Sequence, residues 1–81
     1  MTQPLYYVLA PSWNAYRAWL ALNQLTSKQA VMIRGVETLR GVVLTEDQVI
    51  RLDGSDSIYN IDDLEDAIAL RVNDTKHRNP Q

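Results

Sequence analysis

The 81-residue chain contains no cysteine, no phenylalanine and a single histidine. Without cysteine there is no disulfide framework, no thiolate-bound zinc and no thiol nucleophile. His77 alone cannot supply a histidine pair for catalysis or a histidine cluster for a metal. Apolar runs are only a few residues long, whereas a membrane-spanning helix needs about 20. The N-terminus lacks the basic region and apolar core of a secretory signal. These absences point to one small, soluble, cytoplasmic domain with no membrane partner, no metal and no cofactor.

The formal net charge of -2 conceals an uneven distribution. Residues 1–40 carry Arg17, Lys28, Arg34 and Arg40 against Glu37 alone. Residues 41–81 carry nine acidic side chains against Arg51, Arg71, Lys76 and Arg78. A duplex-binding surface needs clustered lysine and arginine, because phosphate neutralisation supplies most of the non-specific affinity. Four dispersed basic residues in the first half argue against nucleic acid, which stands only as a weak alternative.

Leu5–Ala10 is short, aromatic and branched, and nearly all apolar, which suits a central strand covered on both faces. Pro11 stops it, and Ser12 opens a helix running from Trp13 to about Gln24. On that helix Trp13, Ala15, Tyr16, Trp19, Leu20 and Leu22 cover about half the circumference. Gln29–Arg34 reads as a second strand, broken by Gly35. Val36–Gly41 suits one or two helical turns, with Val36 and Leu39 facing inward and Gly41 ending them. Gln48–Leu52 then makes a third strand. Asp53–Ser57 is a loop by composition. Asn60 caps a last helix whose Ile61, Leu64, Ile68 and Val72 form an apolar stripe, with Tyr59 placed to clamp its entrance.

This order predicts an α/β fold, a small two-layer or three-layer sandwich on a three-stranded, mainly parallel sheet. The alternative is a mixed sheet containing a hairpin over residues 42–52. Residues 1–72 form the domain and residues 73–81, His77 included, a flexible polar tail. No internal repeat stands out.

Ligands in parallel sheets gather beyond the carboxyl ends of the strands, which directs attention to Ala10–Asn14. That segment has no glycine and so lacks both phosphate-binding fingerprints. Its first-turn amides could hold an anion, with Ser12 and Asp53 as neighbours across the sheet; the simpler role of Ser12 is a helix cap. The acidic stretch has a faint calcium-loop flavour at Asp53 and Asp56, yet it departs from the twelve-residue pattern and has no closing glutamate. No catalytic pair emerges, and the sequence points away from an enzyme.

The aromatic surplus is more informative. Trp13, Tyr16 and Trp19 share one helix, while Tyr6 and Tyr7 point to opposite sides of the first strand. Tryptophan and arginine dominate binding hot spots. Trp13, Arg17 and Trp19 are therefore candidate partner contacts, with Asp62, Asp63 and Asp66 as a second, acidic surface.

Tyr6–Ala10 followed by Tyr16-Arg17-Ala18-Trp19-Leu20, with a later Leu39-Arg40-Gly41 step, resembles small α/β accessory proteins of bacteriophages that infect actinobacteria. The resemblance spans about two-thirds of the chain and rests on short motifs. It implies a viral accessory protein in the host cytoplasm and carries over no catalytic residue. The functional expectation is non-catalytic protein binding, to itself or to a host or viral protein; a nucleotide- or anion-binding module is the alternative.

Overall fold

The computed structural model describes residues 4–78. Its strands are β1 (Tyr6–Leu9), β2 (Ala30–Met32) and β3 (Val49–Arg51), and its helices are α1 (Trp13–Leu22) and α2 (Ile61–Arg78). Single 3-10 turns occupy Val36–Leu39, Glu46–Gln48 and Ser55–Ser57. The strands form one parallel sheet in the order β2–β1–β3, as the element order predicts.

Alternation along each strand sorts the apolar side chains into two layers. Val8, Ala10 and Ala30 face α1, where Tyr16 is buried and Tyr6, Trp19, Leu20, Met32 and Ile50 pack around them. Tyr7, Leu9, Ile33 and Val49 face α2, where they meet Leu39, Leu44, Leu64, Ile68 and Val72. The result is a three-layer sandwich. Leu9, Leu39, Leu44 and Leu64 have no exposed surface, and each such burial contributes about 1.5–3 kcal/mol. The β1-to-β2 crossover lies on the α1 face, and the β2-to-β3 crossover, through Leu39 and Leu44, lies on the other. Because the two also move in opposite directions from β1, they share one hand, as parallel crossovers do.

Several local expectations are corrected. The alternative hairpin over 42–52 does not form, because Leu44 drops into the core and Thr45–Gln48 makes a capping box that leads straight into β3. Leu39 is buried as expected, but Val36, at the entrance of the single 3-10 turn, is 45% exposed. Tyr59 does not clamp α2: it is fully exposed, and Ile58 packs on the core instead. Helix α2 also continues past Val72 to Arg78, so residues 73–78, His77 among them, are helical. The apolar stripe ends at Val72, but the hydrogen-bonded spiral propagates beyond it. Residues 79–81 of the expected tail lie outside the described residues.

The end of α1 is a Schellman motif. The Leu25 amide donates to the Leu20 carbonyl at 2.9 Å and the Gln24 amide to the Ala21 carbonyl at 3.2 Å. Gln24 accordingly adopts the left-handed region, with φ of 54°.

The geometry also exposes a repeat. Leu25-Thr-Ser-Lys-Gln-Ala-Val and Leu44-Thr-Glu-Asp-Gln-Val-Ile stand nineteen residues apart, each leading into an outer strand. In both, the glutamine side chain accepts from the threonine amide, Gln29 from Thr26 at 2.9 Å and Gln48 from Thr45 at 3.0 Å. Leu25 and Ala30 pack on the α1 face, whereas their counterparts Leu44 and Val49 pack on the α2 face. Ala30 stands opposite Tyr6 and Val49 opposite Tyr7, and a one-residue shift along a strand inverts the face. A half-turn about β1 therefore relates the two units.

Candidate protein-binding surface

The first turn of α1 begins where β1 stops. Ser12 is extended and its hydroxyl accepts from the Ala15 amide at 3.1 Å, the cap its sequence position suggests. The next side chain, Trp13, leans on Tyr16 with ring centroids 5.1 Å apart. Tyr16 is buried and its hydroxyl donates to the Ala30 carbonyl, so Trp13 rests on a fixed base. Trp13 itself is 52% exposed. Arg17, one turn further on the same ridge, is also exposed.

Trp19 has a different environment. It is half-buried and meets Tyr6 edge-on, with centroids 6.0 Å apart and planes at 85°. Six residues separate it from Trp13, which puts the two on different flanks of the helix. The structure thus brings Trp13 and Arg17 together and sets Trp19 apart from both. Leu22, on the Trp19 side of the wheel, is 83% exposed, so the apolar arc is wider than the sheet it covers.

Asp62, Asp63 and Asp66 are exposed on the first two turns of α2. They lie on the face of the sheet opposite α1, and negative charge there suits a helix N-terminus. Asp62 and Asp63 border a shallow depression with Tyr59, Asn60 and Ile61.

Ser12 and Asp53 both follow carboxyl ends of adjacent strands, β1 and β3. The Leu52 amide donates to the Leu9 carbonyl at 3.0 Å, carrying the ladder to that point. Beyond it the two loops touch: a Cβ placed on Gly54, whose φ is 85°, would meet Pro11 Cγ at 3.4 Å. Pro11 and Gly54 therefore close together over the place where strand order reverses, which is where open α/β sheets usually hold ligands. Asp53 remains exposed. Among the described residues no group of three or more metal-ligating side chains converges, and no helix is long and apolar enough to cross a membrane.

One site escaped the sequence reading. On the α2 face of β3, Arg51 makes two parallel bonds to Glu65, Nε to Oε2 at 2.8 Å and Nη2 to Oε1 at 2.7 Å. Beside this pair runs a groove of about 130 Å³ lined by Glu46, Ile68, Ala69 and Val72. Arg51's hydrogen bonds hold the Glu65 carboxyl below its ordinary range, and the same bonds raise the guanidinium. The available signal was strand parity, since Arg51 lies two residues after Val49 and must share its face. Arg71 was likewise legible only as a favourable charge; its Nε donates to the Leu39 carbonyl at 2.6 Å and its Nη1 to the Ala67 carbonyl at 3.0 Å, latching the long crossover to α2.

No family model matches the chain, and no curated protein or solved structure does.

Proposed function

We propose that this is a non-catalytic protein-binding module that engages a partner protein through Trp13 and Arg17 of α1. The observation that carries the reading is an indole 52% exposed yet braced on the buried Tyr16 ring. A braced aromatic loses little rotamer freedom on binding, which conserves affinity, and tryptophan beside arginine is the composition of an energetic hot spot. The acidic turn of Asp62, Asp63 and Asp66 offers a second, electrostatically steered surface. The resemblance to actinobacteriophage accessory proteins supports a viral protein that acts on a host or viral protein in the host cytoplasm.

The test is affinity capture from the producing cell with the native chain and with Trp13→Ala plus Arg17→Ala, both verified as folded by circular dichroism. Loss of one specific protein from the variant's capture supports the reading. An unchanged set of captured proteins counts against it.

A further inference from the structure

Both outer strands of the sheet have an open side, and their hydrogen-bond inventories differ. In β3 the Leu52 amide points inward to Leu9, so by strand alternation the backbone groups of Val49 and Arg51 point outward. The Val49 amide bonds the Glu46 carbonyl. The Val49 carbonyl and both backbone groups of Arg51 make no hydrogen bond among the described residues. In β2 the Ile33 amide points inward to Val8 at 2.8 Å, so Ala30, Met32 and Arg34 point outward. Three of their groups are occupied: the Ala30 amide by the Thr26 carbonyl at 3.1 Å, the Ala30 carbonyl by Tyr16, and the Arg34 amide by Thr38 Oγ1 at 3.2 Å. The amide and carbonyl of Met32 make no hydrogen bond among the described residues.

These groups match. In a parallel ladder one residue bonds, through its amide and its carbonyl, the two residues that flank its neighbour. Met32 of one copy, placed beside Ile50 of another, would donate to the Val49 carbonyl and accept from the Arg51 amide. That register gives both unused groups of Met32 a partner within β3.

Charge fits the same register. Lys28 and Arg34 bracket β2, while Glu46, Asp47 and Asp53 bracket β3, and all five side chains are exposed. The half-turn about β1 equates Lys28 with Asp47 and Arg34 with Asp53, so equivalent positions of the two units carry opposite sign. With Met32 beside Ile50, Lys28 of one copy falls level with Glu46 and Asp47 of the other, and Arg34 falls near Asp53. The occupant that satisfies both the backbone and the charge is a second copy of this chain.

We propose that the protein assembles head to tail, with β2 of one copy extending the sheet from β3 of the next in parallel. This surface is separate from the Trp13 surface, although it rests on the same reading of the chain as a recognition protein. Such contact is heterologous: a joined pair keeps one unused basic edge and one unused acidic edge, so assembly continues unless a ring closes. Because exposed charges steer it, it weakens as salt shortens their reach.

The test is light scattering on the full chain across protein concentrations, at low salt and at about 1 M salt. Two variants accompany it, Lys28→Glu with Arg34→Glu and Asp47→Lys with Asp53→Lys. The native chain is expected to grow beyond the dimer with concentration at low salt and to revert toward monomer at high salt. Each variant alone is expected to associate at least about tenfold more weakly. Mixed in equal amounts, the two should regain assembly beyond the dimer, because the intact acidic edge of the first meets the intact basic edge of the second and the two reversed edges also carry opposite sign. If a reversal unfolds the chain by circular dichroism, the corresponding neutral pair (Lys28→Gln with Arg34→Gln, or Asp47→Asn with Asp53→Asn) replaces it. A native chain that stays monomeric at low salt overturns the proposal, as does a variant that assembles like the native chain or a mixture that stays monomeric. Trp13→Ala with Arg17→Ala is expected to assemble normally, which separates failure of this edge contact from failure of the α1 surface.

Discussion

The Tyr16 hydroxyl donates to the Ala30 carbonyl at 2.5 Å, tying the middle of α1 to the outward side of β2. One atom thus does two things: it seats the ring on which Trp13 leans, and it occupies a carbonyl that an outer strand would otherwise leave unpaired. Tyr16→Phe keeps the ring but leaves that carbonyl without its donor. The expected cost is about 1–3 kcal/mol, read as a lower midpoint in urea with an unchanged slope. Burial also pushes the Tyr16 and Tyr7 hydroxyls above their ordinary value of 10.0. A folded value above the unfolded one means that this stability is complete below about pH 10 and is lost as pH rises through the folded values. Ultraviolet titration of phenolate should show these two ionising late, together with unfolding, and Tyr16→Phe should remove part of that alkaline loss.

Gln24 occupies a position that glycine fills more comfortably, with φ of 54° at the end of α1. The two Schellman bonds from Gln24 and Leu25 require this conformation, and neither uses the glutamine side chain. Gln24→Gly is expected to raise stability by about 0.5–1 kcal/mol, the strain relieved exceeding the extra freedom of the unfolded chain. Thermal melts of the two chains decide it.

The Arg51–Glu65 pair has a sign that can be worked out. The folded Glu65 value lies below the ordinary 4.5, so its stability is present above about pH 4.5 and lost as pH falls through the folded value. The two side chains are 40% and 36% exposed, which limits the pair to less than about 1 kcal/mol. Glu65→Gln should flatten the acid limb of stability against pH and leave the alkaline limb alone. An acid limb identical to the native one would show that the pair contributes nothing.

Arg71 joins the carbonyls of Leu39 and Ala67, two elements that are 28 residues apart in the chain. Arg71→Met retains much of the stem and removes the donors, at an expected cost of about 1–3 kcal/mol. The change should be local as well as global: amides of residues 36–44 should exchange with solvent faster than those of β1.

How much of this was legible depended on what set each feature. The three strands and two long helices follow from apolar patterns short enough to be strands or periodic enough to be helices, and the alternation of Tyr6, Tyr7, Val8 and Leu9 assigns them to opposite layers. The end of α2 was not legible, because Asn73–Arg78 carries no apolar stripe and a helix extends on backbone bonding alone. The Thr-x-x-Gln units escaped notice because only three of seven positions are identical, and the fold is what relates them. The exposure of Trp13 could not be read from a wheel, since it depends on where Tyr16 and the edge of β2 stand. The Arg51–Glu65 pair joins residues fourteen apart and needed the α2 docking geometry.

The most direct test of recognition through α1 is site-specific photocrosslinking in the producing cell, with the photoreactive residue at position 13 and, separately, at the exposed positions 22 and 70. The expected result is one adduct of discrete mass from position 13, absent from positions 22 and 70. Equal adducts from all three positions, or none from position 13, would contradict the account.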